Sequence, residues 1–111
     1  MNIDKVAIAR RKGTRGQLLS MLYQHQSAAL TVRTMEYALM TDNPHISSDI
    51  GELLYYLAER KYIQLYDGDE PMSLVRNPSR DNLVRITADG VDLMEETIED
   101  KGVLFGDPSR Q

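Results

Sequence analysis

A dense group of carboxylates near the C-terminus is the first set of side chains whose spacing suggests chemistry. On a helix these groups would lie within about one turn of each other, where their oxygens could bind a divalent cation: Glu95, Glu96, Glu99 and Asp100. No histidine and no second carboxylate motif accompanies them to complete a coordination shell. A solvated acidic helix face is the favoured interpretation, and we predict neither a metal site nor another cofactor.

Side chains that could catalyse a reaction are also scarce. The chain has no cysteine, which excludes a thiolate nucleophile and a disulfide. His25 and His45 are isolated in the sequence, and no glycine-rich loop offers a phosphate site. We predict a surface or loop position for both histidines and no enzymatic activity.

The segment SSDIGELLYYLAER, residues 47–60, has the clearest periodic pattern in the chain. Apolar residues recur at i, i+3, i+4 and i+7, which predicts an amphipathic helix that buries this stripe: Ile50, Leu53, Leu54 and Leu57. The outward side carries mostly acids, with a base only at the end: Asp49, Glu52, Glu59 and Arg60. A helix in this position could enter a DNA groove, yet most of its charges would repel phosphate.

Several polar side chains are nevertheless candidates for contact with DNA. Ser47 or Ser48 is predicted to cap the helix, and both hydroxyls can bond to base edges or phosphates. Tyr55 can donate through its hydroxyl, and Glu52 can accept from the amino group of a cytosine. Phosphate contacts would come from cations elsewhere in the chain: Lys5, Arg10, Arg11, Lys12, Arg15, Arg33, Arg76 and Arg80.

The charge is distributed unevenly along the chain. Its 111 residues have a net charge of −4, but residues 1–33 hold six bases and one acid, which leaves seven bases and sixteen acids for the rest. The basic first part could contact a polyanion; the alternatives are a solvated arm or an arm docked on the acidic body of a partner subunit. No apolar run approaches the roughly 18 residues of a membrane span, and no signal peptide is evident, so we expect a cytoplasmic protein without a membrane partner.

Periodicity and capping residues predict seven elements. In order they are a helix over 14–26, a brief strand at 28–32, a helix over 33–41, the helix of residues 47–60, strands at 62–66 and 83–87, and a helix over 88–100. Gly13 is predicted to end any helix before it, and a capping box of Thr14 and Gln17 is predicted to begin the helix over 14–26. Pro44 ends the second helix, and Thr87 caps the last.

This order indicates a winged helix-turn-helix, a mainly α fold with a small β-hairpin (α+β). Residues 67–82 contain two prolines and a glycine and would form the long tip of the hairpin, which Met72–Arg76 could extend locally. We predict a basic N-terminal arm or short helix over 1–13, the winged domain over 14–104, and a flexible tail over 105–111.

Several segments carry a resemblance to known proteins. They are Arg15-Gly-Gln-Leu-Leu19, the Leu53/Leu57 helix that runs into Lys-Tyr-Ile63, and Ile-Thr-Ala-Asp-Gly90 at the start of the last helix. These segments look like winged-helix regulators of the arsenic-repressor and multiple-antibiotic-resistance type. The tail Glu99-Asp-Lys-Gly-Val103 resembles the small winged-helix proteins of Mu-like phages and prophages, and the resemblance covers residues 13–104.

The resemblance implies a cytoplasmic regulator of transcription that binds double-stranded DNA, in a phage or prophage, with residues 47–60 as recognition helix and 67–82 as wing. Two features depart from it: the cysteines of metal-sensing relatives are absent, and the recognition helix lacks the usual basic and amide side chains. Relatives are often homodimers joined by their first and last helices. The candidates for that interface here are Val91, Met94, Ile98, Val103, Leu104 and Phe105.

A protein-binding function is the alternative. In that interpretation the acidic helix faces a protein partner, and the domain is a winged-helix interaction module that does not bind DNA. Tyrosine is enriched at interfaces because its ring is buried while its hydroxyl keeps a polar partner. Six tyrosines are expected at the surface: Tyr23, Tyr37, Tyr55, Tyr56, Tyr62 and Tyr66.

Overall fold

The computed structural model describes residues 4–96 and 98–104, which form four helices and a four-stranded antiparallel sheet. In chain order the elements are α1 (Lys5–Gln24), β1 (Leu30–Thr31), α2 (Val32–Leu39), α3 (Ile46–Glu59), β2 (Ile63–Asp67), β3 (Glu70–Pro71), β4 (Leu83–Ile86) and α4 (Ala88–Met94). The predicted α+β class is confirmed, and the seven predicted elements occur in the predicted order with one further strand, β3, between the two strands of the hairpin. The predicted tail over 105–111 lies outside the described residues.

The first helix begins earlier than predicted. Asp4 caps it, since its carboxylate accepts hydrogen bonds from the amides of Val6 and Ala7 at 3.0 Å each, and the helix then runs through Gly13. The predicted break at Gly13 is wrong, because a helical glycine costs only about 1 kcal/mol. The predicted capping box is wrong as well: Thr14 lies inside the helix and donates to the carbonyl of Arg10 at 2.9 Å.

The turn between α2 and α3 is held by its own polar groups. The Asn43 side-chain oxygen accepts from the His45 amide at 3.1 Å, and Asn43 is buried. His45 occupies the N-cap position of α3 without a side-chain cap bond, and the Ser48 hydroxyl donates to the His45 carbonyl at 2.9 Å. The predicted serine cap is therefore wrong, and the Ser47 and Ser48 side chains are exposed in the first turn of α3.

The core lies where the helices meet one face of the sheet. The predicted stripe of α3 is confirmed as buried and packs with Ile46 of the same helix and with residues of α1, α2, α4 and the sheet: Leu18, Leu19, Leu22, Val32, Met35, Leu93, Ile63, Leu65 and Val84. The apolar side chains removed from water in this cluster supply the main stabilisation of the domain. No helix among the described residues is both long and apolar enough to cross a membrane.

The sheet has the strand order β1-β4-β2-β3. The β2–β4 hairpin is confirmed, with Ile63 opposite Ile86, and β1 adds to its far side through Leu30 opposite Val84. The third strand is at Glu70–Pro71 and not at the predicted Met72–Arg76. Residues 72–82 therefore form a loop that returns from the sheet edge toward the helices.

The last helix ends earlier than predicted. Thr87 caps it as expected, since its hydroxyl accepts from the Gly90 amide at 3.1 Å. The helix stops at Met94 and not near residue 100, and Glu96 takes a left-handed conformation with φ of 61°. Residues 98–104 then fold back onto the domain, where Val103 is buried.

Candidate functional site

The side of α3 that points away from the core carries Ser48, Glu52, Tyr55 and Glu59, which we call the outer face of α3. These residues lie opposite the buried stripe at the 3.6-residue period of a helix. Ser48, Glu52 and Glu59 are exposed, and Tyr55 is half-buried. The outer face therefore presents two hydroxyls and two carboxylates to solvent.

The loop after β3 lies directly against this helix. A Cβ atom at Gly51 would stand 2.5 Å from the carbonyl oxygen of Arg76, which no real side chain tolerates, so Gly51 permits a backbone contact that alanine would block. The loop and α3 are consequently in contact beside the outer face.

Arg76 extends from that loop across the outer face of α3. Its Nη1 lies 3.0 Å from one carboxylate oxygen of Glu52 and 3.3 Å from the other. Its guanidinium carbon lies 4.1 Å from the centroid of the Tyr55 ring. We call Glu52, Tyr55 and Arg76 the outer cluster. It is open to solvent, since 66% of the Glu52 side chain and 59% of the Arg76 side chain are exposed.

The same loop contacts the start of α2. Arg33 Nη1 lies 2.8 Å from a carboxylate oxygen of Asp81, and the Arg33 amide donates to the Arg80 carbonyl at 3.0 Å. Arg80 in turn forms an ion pair of 2.9 Å with Glu36, a buried carboxylate of α2. The loop thus joins the start of α2 and the outer face of α3 into one continuous surface.

Helix α1 contributes cations on the other flank of α3. Arg10 and Arg11 line a groove of about 270 Å³ together with Ser48 and Asp49. Lys12 does not line this groove; it is half-buried, and its carbonyl accepts the Leu104 amide at 3.2 Å.

The structure brings most of the predicted DNA contacts onto one surface, and their role remains a prediction. One groove is lined by Arg11, Ser48, Glu52, Tyr55 and Arg76, and Arg10 lines the groove beside it. Arg33 lies at the start of α2 and Arg80 in the loop of residues 72–82, where they pair with Asp81 and Glu36. What the sequence did not reveal is that Arg33, Arg76 and Arg80 each pair with a carboxylate of this chain. These carboxylates are remote in sequence from the arginines, so no local pattern predicts the ion pairs.

A second cluster of arginine, tyrosine and carboxylate lies on the flank of α3 that faces α1. The ring of Tyr56 lies between two guanidinium groups, with Arg15 at 3.6 Å and Arg60 at 4.7 Å from its centroid. Arg60 also pairs with Asp100 at 3.3 Å. We call Arg15, Tyr56, Arg60, Tyr62 and Asp100 the inner cluster.

Asp100 ties the C-terminal segment to this inner cluster. Its carboxylate accepts from the Tyr62 hydroxyl at 2.8 Å and from the Gly102 amide at 2.7 Å, and only 6% of its side chain is exposed. Burial and the bond to Asp100 raise the pKa of Tyr62 to about 12. Burial lowers the pKa of Arg15, which also donates to the Gly102 carbonyl at 3.0 Å. Tyr62 and the Asp100 carboxylate are buried and hold the C-terminal segment in place, whereas Arg15 and Tyr56 line a groove of about 520 Å³ with the outer cluster.

The predicted solvated acidic face is confirmed only in part. Glu95, Glu96 and Glu99 are exposed, whereas Asp100 is buried in the inner cluster. Within residues 4–96 and 98–104, no group of three or more His, Asp or Glu side chains could hold a metal ion. The two histidines are exposed, as expected.

The tyrosines do not form the exposed set that the sequence suggested. Tyr62 is buried, which makes its predicted exposure wrong, because it precedes β2 and points to Asp100. Tyr23 is half-buried and donates to Glu95 at 2.7 Å, and this hydrogen bond raises its pKa. Tyr37 is the strongly exposed one in the described chain, at 72%.

The predicted dimer contacts are dispersed. Met94 and Leu104 line a groove of about 690 Å³ beside α1, Val91 is half-buried and Ile98 is exposed. Val103 packs into the core of its own chain, so its proposed place in an interface is wrong for this fold. Phe105 lies outside the described residues.

Comparison of the chain with protein-family models, curated proteins and solved structures finds no match. What the site can do follows from its own groups. The outer face of α3 offers hydroxyl donors, carboxylate acceptors and one guanidinium, which together can bond to the edges of bases or to polar groups of a protein. Arg10 and Arg11 on one flank and Arg33 on the other could hold phosphates.

Proposed function

We propose that this chain is a winged helix-turn-helix domain that binds a specific sequence of double-stranded DNA and acts in the control of transcription. The observation that carries the proposal is the surface formed by the start of α2, the outer face of α3 and residues 76–82. On this surface Glu52, Tyr55 and Arg76 have groups that can bond to base edges and Arg33 has one that can bond to a phosphate, and Arg10 and Arg11 line a groove beside Ser48.

The arrangement of elements supports the winged-helix assignment. Helices α2 and α3 are joined by a short turn, the hairpin of β2 and β4 follows, and β1 pairs with β4. In a helix-turn-helix the second helix enters the major groove and the first lies across the backbone. Here α3 would be the reading helix, and residues 67–82 would be the wing.

The ion pairs of this surface determine how strongly it binds phosphate. The Arg33–Asp81 and Arg76–Glu52 pairs are largely exposed, and such pairs contribute only about 0–1 kcal/mol. Arg33 can therefore exchange its carboxylate for a phosphate at little cost, and Arg76 remains free to use its other donors. Arg80 is different, because its partner Glu36 is buried and would be left unpaired.

The same pairs weaken binding to arbitrary DNA. If Arg10, Arg11 and Arg33 each met one phosphate, the logarithm of the binding constant would fall with the logarithm of salt concentration with a slope of at most about −3. The acids beside them reduce this value. We expect weak non-specific binding, with useful affinity only at a site that the outer face of α3 reads.

Fluorescence anisotropy of labelled duplexes tiled across the chain's genomic neighbourhood tests the proposal, at about 50 and 200 mM salt. We expect one duplex to stay bound at the higher salt while the others dissociate. On that duplex, Asp81→Asn should bind about threefold more tightly, because Arg33 no longer has a competing carboxylate. Glu99→Gln removes one charge from the C-terminal segment and is the matched control, for which we expect a smaller gain.

A protein-binding role is the second candidate, and one observation favours it. Tyr37 and Met40 lie about one turn apart at the end of α2 and are 72% and 44% exposed. Apolar side chains exposed side by side are typical of interaction surfaces. Uniform binding that disappears at the higher salt, or no binding, would favour this role and contradict DNA reading.

The remaining expectations extend the proposal. The resemblance to proteins of Mu-like phages supports regulation within a phage or prophage, in the cytoplasm where its DNA would lie. The groove beside α1, with Met94 and Leu104 at its edge, is the proposed place of a homodimer interface. Light scattering at micromolar concentration that gives only a monomer of 12.6 kDa would contradict the dimer.

A further inference from the structure

The geometry points to Glu52 and Arg76 as a single reader of one G·C base pair. In this inference Arg76 donates to the O6 and N7 atoms of the guanine, and Glu52 accepts from the amino group of its paired cytosine. The inference rests on the proposed function and names what the outer cluster recognises.

The hydrogen bonds within the pair leave suitable groups free on both side chains. Only Nη1 of Arg76 contacts the carboxylate of Glu52, at 3.0 and 3.3 Å. Its Nε and second Nη donate no hydrogen bond among residues 4–96 and 98–104, although a guanidinium has five N–H donors. A carboxylate has about four lone-pair sites, so Glu52 can accept from a base while it holds Arg76.

Tyr55 orients the guanidinium for this purpose. The Arg76 guanidinium stacks on the Tyr55 ring with 4.1 Å between its carbon and the ring centroid. Stacking occupies the face of the planar group, and hydrogen bonds leave from its edge. The remaining donors are therefore held in a plane, which is the geometry that bidentate contact with guanine requires.

Gly51 determines the position of the Arg76 backbone. The carbonyl of Arg76 lies so close to the Gly51 Cα that no side chain could stand between them. Three residues of α3 thus act on Arg76: Gly51 admits its backbone, Glu52 binds its charge and Tyr55 supports its plane. We regard Gly51 and Tyr55 as positioning residues for a reader that consists of Glu52 and Arg76.

The major groove offers a matching pattern at one kind of base pair. A G·C pair presents two acceptors on guanine beside one amino donor on cytosine, which complements a guanidinium beside a carboxylate. In an A·T pair the amino group of adenine would face Arg76, and the O4 atom of thymine would face Glu52. Both contacts are unfavourable, so Glu52 and Arg76 each discriminate against an A·T base pair.

The pairing also explains how an acid can lie on a reading helix. A lone carboxylate in the groove would be repelled by the phosphates on either side. Because Arg76 neutralises Glu52, the outer cluster carries no net charge into the groove.

Selection of duplexes from a randomised pool tests the inference, with the wild type and with Glu52→Gln, Arg76→Gln and Glu99→Gln. The wild type should enrich a site with G·C at one defined position. Both Glu52→Gln and Arg76→Gln should relax the preference at that same position by about tenfold. Glu99→Gln removes the same charge from the exposed C-terminal segment, outside the proposed reading surface, and should leave every base preference unchanged.

The outcomes separate failure of the inference from failure of the proposed function. A wild type that enriches no sequence contradicts the DNA-binding function itself. Alternatively, the wild type enriches a site while the variants keep all of its base preferences or relax two different positions. That result is compatible with the proposed function and contradicts the joint reading of one base pair by Glu52 and Arg76. Circular dichroism of each variant confirms folding, and Gly51→Ala should relax the same position although both reading side chains are present.

Discussion

Adjacent residues of α3, Tyr55 and Tyr56, are each stacked against arginine with a carboxylate beside it. In the outer cluster Tyr55 meets Arg76 and Glu52, and both charged side chains are more than half exposed. In the inner cluster Tyr56 meets Arg15 and Arg60, and the carboxylate belongs to Asp100, which is 6% exposed. The same combination of groups therefore occurs once with an exposed carboxylate and once with a buried one.

Burial decides what each cluster does. An exposed ion pair contributes little to stability, because water and salt screen it and either partner can find a replacement. A buried carboxylate that accepts several hydrogen bonds cannot be removed without leaving those donors unpaired. We conclude that the inner cluster stabilises the fold and that the outer cluster is available to bind a ligand.

The largest expected loss of stability comes from removal of the carboxylate of the inner cluster. Asp100→Ala leaves the Tyr62 hydroxyl and the Gly102 amide without their acceptor and should lower the free energy of unfolding by about 3 kcal/mol. Glu52→Ala should lower it by less than about 1 kcal/mol. Urea unfolding followed by circular dichroism measures both, and equal losses would show that the two clusters do not differ in this way.

The two tyrosines give the next comparison. Tyr56 packs against the hydrophobic core as well as against two guanidinium groups, whereas Tyr55 is not part of the core packing. Tyr56→Ala should cost about 2 kcal/mol and lower the melting temperature by about 10 °C. Tyr55→Ala should cost less than half as much, and a thermal melt in which Tyr55→Ala is the less stable variant would argue against the account.

The pH dependence of unfolding sharpens the description of the inner cluster. Tyr62 has a pKa of about 12 in the fold and 10.0 as its ordinary value, so the unfolded chain releases this proton first as the pH rises. The contribution of Tyr62 is fully present below pH 10 and is lost between pH 10 and 12. Urea midpoints across this range should fall more steeply for the wild type than for Tyr62→Phe, and parallel curves would contradict the role of the Asp100 bond.

The smallest expected effect concerns the outer pair itself. Glu52→Gln and Arg76→Gln should each change the free energy of unfolding by less than about 0.5 kcal/mol, since both side chains remain solvated in the variants. Chemical denaturation provides the value. A loss above about 1.5 kcal/mol would mean that the outer cluster is structural, as the inner one is.

Local patterns predicted the parts of the fold that depend on local rules. The stripe from Ile50 to Leu57 defined α3, the alternation of Ile63 and Leu65 defined β2, and Thr87 marked the start of α4. Each of these signals is complete within a few residues. They were sufficient for the class and for the order of elements.

Long-range contacts determined what the sequence did not predict. The apolar spacing up to Ile98 favoured a longer last helix, but Asp100 instead accepts bonds from Tyr62 and Gly102, and the chain turns back. Likewise, Arg76 was expected to hold a phosphate, and the course of its loop pairs it with Glu52. Arg76 and Glu52 are 24 residues apart, and Tyr62 and Asp100 are 38 apart, which is beyond the range of any periodic pattern.

The comparison of the two clusters is tested most directly by amide chemical shifts during titration with the duplex that stays bound at the higher salt. A 12.6 kDa chain suits this measurement. The account predicts that the amides that shift are Ser48, Gly51, Glu52, Tyr55 and Arg76, while Tyr62, Asp100 and Gly102 stay unchanged. Shifts confined to the inner cluster or to the groove beside α1, or no duplex that remains bound, would contradict it.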